Sequence, residues 1–159
     1  MTIITRSIDS PIGALLLVGD GERLHGLYMT NHRPAPVFDG ATADDDAFAE
    51  PARQLDEWFA GRRTAFDLPT EARGTPFQHR VWDVLLEIPF GRTMSYGEVA
   101  TRAGRPGSAR AVGHAVGRNP LSIVVACHRV VGRDGKLTGY AGGLERKRFL
   151  LELEQPTLW

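Results

Sequence analysis

The pattern of the chain changes once, across Pro69-Thr70-Glu71-Ala72-Arg73-Gly74. Before this break, apolar residues come in short runs separated by turn formers. After it, helix-start and helix-stop signals follow one another closely. A chain of 159 residues divided in this way suits two small domains, with expected bounds 1–72 and 73–159. The expected fold class is α/β in the broad sense (α+β). A small strand-rich N-terminal α/β domain precedes a C-terminal helix-turn-helix domain of winged-helix type.

In the first part, residues 2–8, 14–18 and 24–29 read as strands. Asp9-Ser10-Pro11-Ile12-Gly13 and Gly19-Asp20-Gly21-Glu22 form the joints, the second as a tight hairpin. Residues 31–46 are rich in Pro, Asp, Ala and Gly and read as a loop. A helix over about residues 47–60 carries Leu55, Trp58 and Phe59 and ends at Gly61. Residues 64–68 suit a further short strand.

The second part opens on Thr75-Pro76-Phe77-Gln78, with a capping Thr, Pro at the first helical position and Gln at the third. Phe77, Val81 and Leu85 then form one apolar stripe, and Pro89 and Gly91 stop the helix. Ser95-Tyr96-Gly97-Glu98 is a second capping box, for a helix to about residue 103. Gly104-Arg105-Pro106-Gly107 makes a turn, and Ser108 is placed to cap a helix to about residue 117. Two short helices joined by a Gly-containing turn read as a helix-turn-helix. In the second of them Ala109, Ala111, Gly113, Ala115 and Gly117 allow close approach, either to a DNA groove or to a neighbouring helix. Packing on a helix is the default of the two. Arg110, His114 and Arg118 share one face at four-residue spacing, for which a solvated basic face is the plain explanation. Residues 122–131 form an apolar, β-branched stretch that reads as a strand interrupted by Cys127-His128-Arg129, Arg133-Asp134-Gly135-Lys136 suits a type I′ turn, and a last helix covers residues 144–154.

Apolar residues at 42% and charged residues at 24% fit a globular protein and exclude disorder or a fibrous repeat. The net charge of zero is unevenly laid out. Residues 1–72 hold six Lys/Arg against twelve Asp/Glu, and residues 73–159 hold thirteen against seven, so the halves stand at −6 and +6. A basic half points to an anionic partner such as nucleic acid, although mutual attraction of two surfaces accounts for the same numbers. No run approaches the eighteen or so apolar residues of a membrane span. The first residues lack the layout of a signal peptide. One cysteine closes no internal disulfide and supplies no multi-cysteine zinc site. The expected setting is therefore cytoplasmic and reducing, with no membrane partner.

That cysteine, Cys127, is the candidate nucleophile. A free cysteine is most often a small buried hydrophobe. Here His128 and Arg129 follow at once, which is unusual inside a buried stretch, and such neighbours favour the thiolate. On a regular strand Cys127 and His128 would point to opposite faces, so contact between them needs a bend or a bridging water. Glu154 falls between Leu150 and Leu151 on the apolar arc of the last helix. A carboxylate buried there needs a hydrogen-bonding partner, and a histidine is a suitable one. The alternative is a solvated residue at a fraying helix end.

Ala126-Cys127-His128-Arg129-Val130 resembles the active-site signature of the O6-alkylguanine-DNA alkyltransferases, usually Pro-Cys-His-Arg-Val. Arg110-Ala111-Val112-Gly113, Asn119-Pro120, Gly139-Tyr140-Ala141-Gly142-Gly143 and Leu153-Glu154 fall at that family's spacing. The resemblance is close over residues 74–154 and covers residues 1–72 in length and strand pattern only. It implies direct-reversal repair without a cofactor. The alkyl group of O6-alkylguanine in double-stranded DNA moves irreversibly to Cys127, after the base is flipped out, and the protein is spent. By the same resemblance His128 is the base acting through water, Glu154 orients it, Asn119 braces the turn, and Tyr96 donates a proton to the leaving guanine. Tyr140 walls the pocket, the backbone near Cys127 and Val130 reads the guanine edge, and Ala141 and Arg129 complete the pocket. Arg110 fills the space of the flipped base. Ser108, Ala109, His114 and Arg118 meet DNA on a helix in the minor groove. The implied protein is a monomer in solution, cytoplasmic and nucleoid-associated, that can assemble on DNA.

Two departures stand out. Ala126 replaces the usual Pro, which loosens the strand and slows the chemistry without removing a reacting group, and Ala141 stands where some members carry a serine. Some members also hold zinc in the N-terminal domain, whereas here residues 1–72 offer only His25 and His32, so no such metal is expected. Three other functions fit parts of the pattern. A binding-only relative would lack the cysteine. A redox-sensing transcription regulator would need a dimerisation element. A cysteine hydrolase would need an oxyanion hole and turnover.

Overall fold

Three antiparallel strands open the chain in a computed structural model that describes residues 2–32, 36 and 38–155. Residues 33–35 and 37 of the expected loop, Met1, and residues 156–159 of the second expected domain lie outside the described residues. Strands β1 (Ile4–Ile8), β2 (Leu15–Gly19) and β3 (Leu24–Met29) pair in sequence order, with a register shift at Val18/Gly19. The hairpin between β2 and β3 is closed by Asp20, whose Oδ1 accepts from the backbone N–H groups of Glu22 (2.9 Å) and Arg23 (2.7 Å). Leu15, Leu17, Leu24 and Leu27 are fully buried. A two-residue strand, β4 (Thr42–Ala43), adds in parallel to β1 inside the span expected to be loop, giving the order β3-β2-β1-β4. Both of its residues are exposed, so no apolar period marked it.

Helix α1 (Ala49–Phe59) buries Leu55 and Trp58, and Gly61 follows it in the left-handed region at φ 76°. Residues 64–68 are not the strand expected. The Gln54 side chain takes both backbone groups of Asp67 (2.9 and 3.0 Å), the groups a ladder would need. The edge pairing falls later, at Thr70, where Leu24 bonds to Pro69 and Glu71 (2.9 and 3.0 Å).

Helix α2 (Pro76–Glu87) starts on a complete capping box between Thr75 and Gln78. A two-residue strand, β5 (Met94–Ser95), leads into α3 (Tyr96–Arg102). Gly104 and Gly107, both at φ 83°, turn the chain into α4 (Ala109–Gly117). Ser95 caps α3 by accepting from the Glu98 N–H (3.1 Å), while its hydroxyl donates to the Glu98 carboxylate (3.2 Å). Ser108 holds the corresponding position before α4 but makes no cap bond. Its ψ of 41° departs from the extended backbone seen at Thr75 and Ser95. Helices α2, α3 and α4 pack through Val81, Leu85, Val99, Val112 and Ala115, and Trp82 Nε1 donates to the Ala115 carbonyl (2.9 Å). Strand β6 (Val130–Val131) pairs in parallel with β5, and α5 (Leu144–Glu154) closes the described chain. Buried apolar residues from both halves form one cluster. None of the helices is long and apolar enough to cross a membrane among the described residues.

Residues 122–131, read as an extended stretch, become extended only at β6. The Ser122 carbonyl accepts from the Val124 N–H (2.8 Å) around Ile123 at φ 72°. The Val125 carbonyl accepts from the Cys127 N–H (2.7 Å) around Ala126 at φ −77°, ψ 63°. These are three-residue turns of opposite hand, the first a strained form for a β-branched residue. A 3-10 turn, Cys127–Arg129, follows. The expected type I′ turn is also absent. That turn needs positive φ at both central residues, and across Arg133-Asp134-Gly135-Lys136 only Gly135 has it, at φ 76°.

Ala126 thus sits at a φ that proline adopts, and its N–H donates to no acceptor among the described residues. Ala126→Pro should stabilise the protein by about 0.4–1 kcal/mol by restricting the unfolded chain. The urea midpoint should rise at unchanged m-value, whereas a fall would reveal a clash of the pyrrolidine ring.

Candidate active site

The two turns place Cys127 at a corner of the backbone. Asn119, just beyond α4, spans the loop before it. Its Nδ2 donates to the Val125 carbonyl (2.9 Å) and its Oδ1 accepts from the Leu121 N–H (3.0 Å). The same segment is sewn to the edge of β3, where Leu27 donates to the Pro120 carbonyl (2.7 Å) and accepts from the Ser122 N–H (3.2 Å). Cys127 is 3% exposed. Burial pushes its thiol above the usual range, against the nearby polar groups of Asn119 and Tyr140 and the positive charge of Lys147.

The next two residues converge on α5. His128 Nε2 lies 3.0 Å from Glu154 Oε2, and both side chains are buried. Arg129 donates to the same carboxylate through Nε (2.9 Å to Oε1) and Nη2 (2.6 Å to Oε2), and its Nη1 donates to the Ile88 carbonyl (2.7 Å). Burial pushes Glu154 up, but these hydrogen bonds outweigh it and hold the carboxyl below its ordinary range. An ionised Glu154 makes Nε2 the protonated nitrogen of a neutral His128 and leaves Nδ1 a lone pair. Burial lowers the His128 pKa, against the pull of Glu154, and Nδ1 has no partner. Among the described residues no hydrogen bond joins His128 to Cys127. Glu154 is therefore no solvated helix end.

Tyr96, Gly113, Val116, Gly117, Gly139, Tyr140 and Ala141 line a cavity of about 340 Å³. The Tyr140 hydroxyl is buried beside Cys127 and Ser122 without a hydrogen bond of good geometry, and burial next to the thiol pushes its pKa well above the usual range. A Cβ on Gly113 would approach the Tyr96 ring at 3.9 Å, and one on Gly142 would run into Met29 and Tyr140. The small residues of α4 thus serve two surfaces, Ala115 towards α2 and Gly113 and Gly117 towards the cavity. Arg110, His114 and Arg118 are exposed, as is Ala109, and Ser108 is half-buried. Val130 is fully buried in β6 against Met94. Arg129 lies away from the cavity, committed to Glu154 and Ile88 and set 5.8 Å over the Phe90 ring.

The residue missed in the sequence is Lys147. It is fully buried, donates to the Thr138 carbonyl (2.9 Å), and stands 5.9 Å over the Tyr96 ring. Burial lowers its pKa to about 8, against the attraction of Cys127. The helical spacing that singled out Glu154 also carried this signal, because residues 147, 150, 151 and 154 share one face. In the N-terminal part His25 and His32 do not meet as metal ligands. His25 Nε2 lies between Asp20 Oδ2 (3.3 Å) and Glu71 Oε2 (3.4 Å), tying the hairpin to the segment before α2. These three side chains bring donor atoms within 4.8 Å of one another, and the other oxygen of Asp20 is engaged by the hairpin.

Comparison with known proteins adds an independent line. Residues 3–72 match the family model of the 6-O-methylguanine DNA methyltransferase ribonuclease-like domain, and residues 76–156 match that of its DNA binding domain. A methylated-DNA–protein-cysteine methyltransferase of Mycobacterium tuberculosis is 54% identical over 150 residues, spanning 94% of this chain and 91% of the relative. One from Methanosarcina acetivorans is 48% identical over 147 residues, spanning 92% and 94%. The crystal structure of Mycobacterium tuberculosis OGT in complex with DNA superposes with a TM-score of 0.93 at 52% identity, covering 96% of this chain and 93% of that one.

The charge on Lys147 opposes the burial of the thiol and is lost as pH rises through about 8. Lys147→Met should therefore raise the Cys127 pKa and slow alkylation of the thiol by iodoacetamide at pH 7 by about tenfold, as one pKa unit requires. An unchanged pH profile of alkylation would make Lys147 only a brace for the Thr138 carbonyl.

Proposed function

The chain belongs to the 6-O-methylguanine DNA methyltransferase family, and from that membership we propose how its residues divide the work of repair. The protein reverses O6-alkylation of guanine in DNA directly, by transferring the alkyl group to its own cysteine. One observation carries the assignment of parts: the sole thiol stands at the corner of a braced turn, beside Tyr140 of the cavity wall, with a neutral His128 and an ionised Glu154 next in line.

In the proposed sequence Arg110 enters the duplex as the damaged base leaves it, while Ser108, Ala109, His114 and Arg118 meet the adjoining backbone. The base enters the cavity between Tyr96 and Tyr140, with Ala141 and the backbone near Val130 at its edge. The thiol proton passes through a water to His128 Nδ1, the free lone pair, and Glu154 stabilises the imidazolium that forms. Cys127 Sγ then bonds to the alkyl carbon as the bond to O6 breaks. The electron pair stays on guanine, and Tyr96 supplies the proton that neutralises it. Lys147 offsets the thiolate charge. The thioether has no leaving group, so each molecule reacts once. The presence of Cys127 favours this course over recognition without transfer, and no acyl substrate or oxyanion hole is required.

Arg129, in this proposal, acts through Glu154 instead of on the base. Residues 1–72 and 73–159 form the two domains, linked by the pairing of Leu27 with Leu121. The working form is a cytoplasmic, nucleoid-associated monomer that can assemble on DNA.

Incubation with O6-methylguanine DNA should add the mass of one methyl group per molecule, on Cys127, and Cys127→Ser should bind DNA without reacting. Single-turnover rates should fall about 10²–10⁴-fold in His128→Gln, as for loss of a positioned base. Glu154→Gln and the double variant should show losses that do not multiply, because the residues act as a unit. A folded Glu154→Gln protein transferring at the native rate would end the coupled reading.

A further inference from the structure

Trp58 lies far from Cys127 in sequence, on α1, and yet it touches the proposed base. Its indole stands edge-on to His128, with ring centroids 6.1 Å apart and planes at 70°. It is 1% exposed and meets three more rings: Phe59 (5.1 Å), Phe66 (6.2 Å) and Phe90 (6.5 Å). Phe90 in turn lies under the Arg129 guanidinium that grips Glu154. The His128–Glu154 pair is thus backed by an aromatic wall whose central member comes from the N-terminal half. Two buried polar atoms without partners, Trp58 Nε1 and His128 Nδ1, belong to this same ring pair.

We propose that Trp58 is a positioning residue for His128, holding the imidazole plane against Glu154 and keeping bulk water, other than the single relay molecule, from the pair, so that the N-terminal half takes part in the reaction. The inference rests on His128 acting as the base. Two effects combine in it. A neutral ring held by one hydrogen bond through Nε2 can still swing about that bond, and an edge-on aromatic contact opposes the swing. Excluding water also disfavours the charged imidazolium before reaction. The groups facing His128 are Glu154 and Lys147 from α5 and Arg129 from its own turn, while α1 contributes Trp58 and no charge. Burial is the largest influence on His128 and lowers its pKa. Opening the wall therefore raises that pKa, and the base is protonated at higher pH than in the native protein.

The test uses the full chain with Trp58→Leu, which keeps an apolar side chain but no ring, and Trp58→Phe, which restores one. Imidazole NMR titration should place the His128 midpoint higher in Trp58→Leu by about half a pH unit or more. The acid limb of single-turnover transfer to free O6-benzylguanine should move with it, at unchanged DNA affinity. Trp58→Phe should recover most of both. A folded Trp58→Leu protein, of whatever melting temperature, with native midpoint and native pH profile makes Trp58 a packing residue and overturns the proposal. If Trp58→Leu does not fold, the longer and more adaptable Trp58→Met takes its place, and a native midpoint there overturns the proposal equally. Failure of the base assignment itself has a separate signature, a His128→Gln protein that transfers at the native rate.

Discussion

Glu154 accepts from His128 and Arg129 at the far end of α5, and both donors sit in the short turn that presents Cys127. Arg129 extends the link to the Ile88 carbonyl at the end of α2. A carboxylate taken out of water is costly unless its oxygens are fully engaged, and removing one partner of such a pair typically costs about 3–5 kcal/mol. The cost explains the geometry. Once Glu154 is buried, the turn has one place to go, and the helix, the turn and α2 become a single unit. The same bonds keep the carboxyl ionised, which sets the tautomer of His128 and leaves its Nδ1 free.

The turn needs that anchorage because its backbone is not relaxed. Ile123 at φ 72° occupies a region costly for a β-branched residue. Asn119 on one side and the edge of β3 on the other hold the segment in this shape. A straight strand would have turned Cys127 and His128 to opposite faces. Two successive three-residue turns and a 3-10 turn instead set Cys127 beside Tyr140 and carry His128 onto Glu154. The strain and the bracing go together, since the corner sets the buried Cys127 beside Tyr140 of the cavity wall while its neighbours stay packed.

Much of this was legible in the sequence. The capping box at Thr75, the hairpin at Asp20, the turn of the helix-turn-helix and the bounds of α5 follow from local chemistry, which acts over a few residues and leaves a readable mark. Glu154 was legible because a charge on an apolar arc is anomalous. Residues 122–131 were misread as extended because nearly every side chain there is buried, and burial on all sides looks alike in a strand and in a packed turn. Residues 64–68 were misread because Gln54, ten or more positions away, takes the backbone bonds of Asp67. Lys147 was passed over because lysine normally reaches water, and only the tertiary fold shows its end on the Thr138 carbonyl.

The uneven charge of the two halves has a consequence for the encounter with DNA. A net-neutral body with −6 on one part and +6 on the other is an electric dipole. Near a polyanion it feels little overall pull at long range but a definite torque. In the proposed encounter the acidic half swings outward and the basic half, which carries the exposed Arg110, His114 and Arg118, swings inward. The torque acts within roughly a Debye length, about 8–10 Å at physiological salt, so the molecule is turned just before it lands. Fewer collisions are then spent on the wrong face, and a protein that reacts only once can search many undamaged positions without being held tightly at any of them.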